Sequence, residues 1–466
     1  MDFNLQAIFQ AISKKDADQE TMVKVYEIVD GYMKNPAFIF HLMQSLTVDL
    51  LAQQPEFYQN LQIMIKRCIQ TNWVNTPSLE FWNLEMRNQI AMFLLETVFS
   101  VPHPNRAYFI EMLGLMIKAD LRDSGNPHFL NELLIILQRL IELFTAKSGN
   151  FFDVNTSIQI ATIFIKGCNR MRSVFSQNLD EQQRNQINTL QMHFINHAIA
   201  IINQCIPLLG TNETACVICY NSIKIIRYSL STIDAIVIDP NFHQVLTQIC
   251  SVIQSNSDAN SILKIKTQVF KLIDYLNSTF LAKDTHKLSA NQIQFAEFYK
   301  AQVVQPIVQL SINQLSLPTN FFLSRLTLNA FYQFVFYDMF VQSIITPEFV
   351  TNVLIPYSFV TPDDAEDAVN NPFAYSDTNL ELDRGNHIYS TRTYCALILK
   401  KAISKLHFVD EIYPILIAEP KDFFEFEAKI FLFISYIKSV SKLEKEMRSA
   451  QMKSAKTKRQ KRDLKH

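Results

Sequence analysis

Glycine occupies only positions 31, 114, 125, 149, 167, 210 and 385 of this 466-residue chain, and no two lie closer than 11 residues. Average usage would supply about thirty. β-Hairpins and bulges draw on glycine for their positive-φ positions, so a chain this poor in it is pushed towards helices. The same scarcity excludes a P-loop, a dinucleotide-binding fingerprint and a kinase glycine-rich loop, each of which needs closely spaced glycines. Neither H-E-x-x-H nor G-x-S-x-G occurs. The pattern reads as a helical protein without an enzyme signature.

The segment from Pro55 to Ser100 shows how such helices are organised. Phe57, Leu61, Ile65 and Ile69 recur on one helical face, then Asn75, Thr76 and Pro77 break the run, and Ile90, Phe93, Leu94 and Val98 resume it. A helix pair of this kind cannot bury both apolar faces alone and must stack on its neighbours. Prolines at 36, 55, 77, 102, 104 and 127 punctuate the chain at helix-pair intervals, and Pro36 to Pro77 spans 41 residues. That spacing is close to the ~40–47 residues of a HEAT or armadillo repeat. Helices are expected over 4–13, 19–34, 37–52, 56–72, 82–100, 105–119, 127–146 and 180–206. Further ones are expected in the segment ending near 282, between 292 and 337, at 388–405 and at 420–440. In 127–146 the stripe is Phe129, Leu133, Leu137, Leu140 and Phe144. With 48% apolar residues and no glycine/serine linker, the expected fold is all-α, one continuous HEAT/armadillo-like α-α superhelix, or solenoid. Its parts would be 1–120, 121–345, an acidic insertion at 346–387, a helix pair at 388–440 and a basic tail at 441–466.

Formal charge is −1 overall, but residues 442–466 hold ten Lys/Arg against three acids, a local +7 that leaves −8 for the rest. No nucleic-acid-coating surface is expected from this balance. The seven cysteines are scattered, as in a reduced intracellular chain. The N-terminus shows no basic signal region. The most apolar run, 215–238, contains Lys224, Arg227 and Asp234, too polar for a membrane span.

Four groups of side chains invite a chemical reading. His193 and His197 lie four apart and Cys216 and Cys219 three apart, so two antiparallel helices would bring a tetrahedral Zn²⁺ set together. The alternative, which the missing small-loop context favours, is four ordinary interior or edge residues, and no cofactor or metal is expected. Lys458, Arg459, Lys461 and Arg462 suit a nuclear localisation signal or a nucleic-acid contact, or else a solvated, fraying helix end. The acids Asp363, Asp364, Glu366 and Asp367 suit contact with a basic partner, or a solvated loop. Phe151, Phe152, Phe423, Phe424 and Phe426 are expected in the core.

Three segments carry a resemblance. The first is Glu56-Phe57, Ile65-Lys66-Arg67-Cys68 and Asn72-Trp73, followed by Arg87, Ile90 and Leu94-Leu95-Glu96. The second is Asn35-Pro36-Ala37-Phe38. The third is VLIPYSFVTPDDAEDAVNNPFAY (353–375), then Tyr389 to Leu397 with Arg392. Together they resemble the importin-β-type nuclear transport receptors (karyopherin-β), nearest the CAS-type exportins and their importin relatives. The family's Trp-Pro pair after the second repeat is absent here, and of the basic run in its Arg-rich mid-solenoid helix only Arg392 stands. The resemblance runs over the N-terminal half of the family pattern. It implies a non-catalytic receptor that shuttles between cytoplasm and nucleus and acts at the nuclear envelope. Its partners would be a Ran-type small GTPase, protein cargo with importin-α among the candidates, and Phe-Gly nucleoporins, without membrane insertion or direct nucleic-acid binding. Ran would lie on the inner face of the first repeats, with a second contact at Asp363, Asp364, Glu366 and Asp367. The alternative is a helical-repeat interaction scaffold outside transport.

Overall fold

The computed structural model describes residues 19–33, 35–75, 82–124, 126–147, 149–230, 234–255, 259–281, 288–316, 321–336, 345–360, 390–406 and 409–463. Among them there are helices and turns and no strand, so the all-α expectation holds. The helix expected at 4–13 lies outside the described residues. The chain forms two compact units, Met1–Ile236 and Val237–His466.

In the first unit the helices are α1 (Gln19–Met33), α2 (Pro36–Ser45), α3 (Val48–Gln53), α4 (Pro55–Ile69), α5 (Leu84–Ser100), α6 (Ala107–Arg122), α7 (Pro127–Ala146), α8 (Phe151–Asn178), α9 (Glu181–Cys205) and α10 (Glu213–Ser229). Where one helix was expected over 37–52, the chain breaks at Leu46-Thr47. The Thr47 hydroxyl accepts from the Leu50 N–H over 3.1 Å, so it caps a new helix rather than continuing the old one.

A start signal recurs that the helical pattern alone did not reveal. Asn35-Pro36-Ala37-Phe38, Asn126-Pro127-His128-Phe129 and, in the second unit, Asp239-Pro240-Asn241-Phe242 each open a helix in the same way. The Asx side chain accepts from the N–H two residues on, over 3.0, 3.0 and 2.8 Å. Proline stands in the first turn, where its missing N–H leaves no bond unmade. The phenylalanine that follows is buried each time and pins the entry of the helix to the core.

From α5 to α10 each helix packs on its sequence neighbour and on the next but one, while α4 packs on α2, α3 and α6. One row is α4, α6, α8 and α10; the other is α5, α7 and α9. The rows meet along apolar stripes such as Phe129, Leu133, Leu137, Leu140 and Phe144 of α7, all buried as expected. Burying each such side chain contributes roughly 1.5–3 kcal/mol before entropy is counted. Helices α6 and α8 approach closely because each presents a glycine. A Cβ on Gly114 would stand 2.9 Å from Ile163 Cδ1, and one on Gly167 only 2.4 Å from Leu121 Cδ1.

The second unit holds α11 (Pro240–Ser251), α12 (Asn260–Leu276), α13 (Ala290–Phe298), α14 (Val304–Leu315), α15 (Phe321–Phe336), α16 (Pro347–Phe349), α17 (Thr391–Leu406), α18 (Val409–Ile417) and α19 (Phe423–Asp463). Its row of successive contacts is α12, α15, α17 and α19. α12 continues into a π turn, Asn277–Leu281, and another π turn, Tyr299–Val303, joins α13 to α14. There the buried Tyr299 hydroxyl donates to Asn277 Oδ1 over 2.7 Å. α19 is a correction in length. A helix was expected over 420–440, yet the backbone stays helical to Asp463, since nothing between 441 and 463 is glycine or proline.

Candidate functional site

Two of the residues singled out in the first hundred, Trp73 and Arg87, meet inside the first unit, while Lys66 and Arg67 pair at its surface with Glu111 and Asp30. Helix α4 runs into a π turn, Gln70–Asn75. This turn carries Trp73, whose Nε1–H donates to Asp120 Oδ1 over 2.8 Å. Arg87 of α5, 1% exposed, donates from Nη2 to the same oxygen over 2.7 Å and from Nε to Glu132 Oε2 over 2.8 Å. Its guanidinium lies 3.9 Å from the Trp73 ring centre and 4.7 Å from that of Phe129. One cation thus ties α4, α5, α6 and α7 together. Burial pushes Asp120 up to about 7, against the lowering pull of Arg87 and Trp73, and raises Glu132 as well. Asp120 Oδ2 and Glu132 Oε1 are buried and accept no hydrogen bond, which leaves room for a proton on the pair. This arrangement fixes helices and offers nothing to a ligand.

A surface able to receive a ligand lies on the other row. Between α5, α7 and α9 opens a groove of about 1050 Å³. Its apolar lining is Met92, Leu134, Ile135 and Leu190, with Ile135 48% exposed. Primary amides from Gln138, Gln182, Asn185 and Gln186 stand around these residues, together with Thr189 and the acid Glu181. The wall helices are held firmly. Asp180 and Gln183 form a reciprocal capping box at the start of α9, and Asn126 caps α7. Phe144 of α7 meets the His197 ring of α9 edge-on, 4.5 Å between centres. Arg139 pairs with Glu142 over 3.0 Å and Glu96 over 3.3 Å, so its charge is already matched at the groove. The lining contains no histidine, cysteine or serine. Apolar side chains flanked by amides suit an extended peptide that inserts an uncharged apolar residue and hydrogen-bonds through its backbone.

The other sequence candidates fall out as follows. His197 packs on Phe144, and burial lowers its pKa, with His193 adding to the shift. Cys216 and Cys219 of α10 are buried, and burial raises Cys219 away from thiolate. Among the described residues no three or more His, Cys, Asp or Glu are grouped to hold a metal. Asp363, Asp364, Glu366 and Asp367 lie outside the described residues. Lys458, Arg459, Lys461 and Arg462 lie on the backbone helix α19, and their side chains are outside the description as well.

Arg392, the cation singled out beside the acidic segment, faces inward. It grips Glu427 of α19 through both terminal nitrogens, Nη1 donating to Oε2 over 2.8 Å, and stacks 4.0 Å from the Phe431 ring centre. The aromatic expectation needs correction. Phe423, Phe424 and Phe426 are 72%, 52% and 48% exposed and Phe152 is exposed too, because they fall on the solvent side of α19 and at the first turn of α8. Apolar spacing alone does not say which face of a helix finds a neighbour. Among the described residues no helix is long and apolar enough to cross a membrane. Neither the known protein families nor the curated proteins contain a match to this chain.

Proposed function

We propose that this chain is a non-catalytic α-α solenoid acting as a nucleocytoplasmic transport receptor, binding a Ran-type GTPase and protein cargo while shuttling between cytoplasm and nucleus. The observation that carries the reading is the groove between successive helices α7 and α9, apolar in lining and ringed by amides. A helical stack offers such a slot wherever two neighbours of one row part, and this one has room for a phenylalanine of a Phe-Gly pore protein together with the backbone on either side of it. The resemblance of residues 35–96 and 353–397 to the importin-β type supplies the rest: Ran on the first repeats, and the acids Asp363, Asp364, Glu366 and Asp367 against its basic surface. Soft, neighbour-only packing lets binding at one end bias access elsewhere.

Capture of Ran by the purified protein tests the reading, with the GTPase locked in its GTP and GDP states. Retention of the GTP form alone is expected. Equal retention, or none, leaves the second reading, an interaction scaffold outside transport. The inward-facing Arg392 favours that alternative, since a residue sealed against Glu427 and Phe431 is not offered to a partner.

A further inference from the structure

Near the turn from α8 into α9 the two helices part around a second, smaller cavity of about 170 Å³. That is well above what one water needs and below the ~300 Å³ at which sites for drug-sized ligands begin. It has room for one short chemical group. Phe175 and Ile187, both buried, give it an apolar floor, beside Cys168 and Gln191, which are hydrogen-bonded to each other. Its polar side is made by Arg172 of α8 and by Arg184 and Asn188 of α9. Among the described residues no acid lines it.

Other arginines of this unit are matched: Arg87, Arg106, Arg122 and Arg139 each pair with a carboxylate. Arg172 and Arg184 are not. Among the described residues neither side chain meets an acid, a hydrogen-bond acceptor or an aromatic ring. The two acids nearest in sequence are engaged elsewhere. Asp180 accepts from the Gln183 N–H over 2.8 Å, and Glu181 lines the groove shared with α5 and α7. Arg170 has no such partner either, but it lies outside this lining, so convergence on one cavity sets Arg172 and Arg184 apart. Two like charges brought to one small space repel each other until an anion stands between them.

A carboxylate accepts from guanidinium forks through both of its oxygens, and Asn188 has an amide N–H to add. An inorganic anion would leave the apolar floor uncovered, whereas a carboxylate on a short branched chain covers it. We infer that this cavity is a binding site for a small organic carboxylate, held by Arg172 and Arg184 with its apolar body on Phe175 and Ile187. The inference does not rest on the transport reading, since none of these residues lines the groove assigned to Phe-Gly repeats.

Calorimetric titration of the full chain tests it, with 4-methylpentanoate, its uncharged amide and inorganic phosphate as probes. Saturable binding of the acid is expected, at a dissociation constant of about 1 mM or tighter. The amide is expected to bind about tenfold or more weakly, and Arg172→Gln and Arg184→Gln each to weaken the acid by a similar factor. A tripeptide ending in leucine separates the two sources of such a group. Tighter binding than the free acid assigns the site to a chain end, and equal or weaker binding assigns it to a free acid. No binding of the acid or the tripeptide up to about 10 mM overturns the inference. So do acid and amide binding alike, an affinity unchanged in both variants, or phosphate binding as tightly as the acid, which would mark an adventitious ion only. The acid–amide comparison needs no variant, so it stays readable even if either substitution fails to fold.

Discussion

Arg87 and Arg392 keep the same kind of company, a carboxylate on one side and an aromatic face on the other, but their surroundings differ. Arg87 is enclosed by four helices with two acids and two rings around it. Arg392 is buried, whereas its partner Glu427 is 27% exposed and sits on a helix covered on one side only. Within the first unit both rows close over the charge and the open surface is displaced to a groove between helices. In the second unit the charged pair lies one helix from an exposed apolar face. The same local chemistry therefore marks a sealed joint in one place and the border of a surface in the other.

Breaking the sealed joint should have the largest effect. Arg87→Met leaves Asp120 and Glu132 buried without a cation, and a loss of about 3–5 kcal/mol is expected in denaturant unfolding. A loss below about 1 kcal/mol would mean the joint relaxes into water, removing the contrast with Arg392.

The pH response of the same joint comes next. Burial raises Asp120 from its ordinary 3.8 to about 7, so the folded chain holds a proton there that the unfolded chain has lost. Between those values the native state binds more protons than the unfolded one. This contribution to stability is full below the unfolded value and fades as pH rises through the folded one. Unfolding free energy should therefore fall from pH 5 to pH 8, and Asp120→Asn should flatten that slope. A wild-type slope that the substitution leaves unchanged would place the titrating group elsewhere.

Arg392→Met should cost less, about 2 kcal/mol or below, since the freed Glu427 can turn to solvent. A cost equal to that of Arg87→Met would show that the edge is as closed as the interior. The smallest effect is expected at the glycine contacts. Gly167→Ala should destabilise by about 1 kcal/mol, with the Leu121 clash outweighing the gain in helix propensity. Gly114→Ala should be near neutral because only the tip of Ile163 must yield. Thermal melts of the two variants separate these outcomes.

What the sequence disclosed follows from what periodicity encodes. The glycine shortage announced an all-helical chain, and the 3.6-residue stripes located most helices, α7 to the residue. The inward face of α7 was readable because Phe129, Leu133, Leu137, Leu140 and Phe144 form one line. Periodicity says less where a helix has two apolar lines, as in α19, since choosing the buried one depends on neighbours far along the chain. The Asx-Pro-x-Phe starts were present in the letters and would have fixed three helix boundaries. The groove was not readable. It arises from the gap between α7 and α9, and its lining mixes residues from three helices that share no sequence pattern. The Arg87 joint was half readable: Trp73 and Arg87 stood out, but Asp120 and Glu132 sit in ordinary helical context.

The most direct test of the central claim is a titration of the intact protein with an uncharged Phe-Gly repeat peptide, followed by fluorescence anisotropy, for wild type and Ile135→Glu. The account predicts saturable binding that the substitution abolishes while the unfolding transition stays within about 0.5 kcal/mol of wild type, as for a surface change. Binding untouched by Ile135→Glu, or no binding by the wild-type protein, would contradict it.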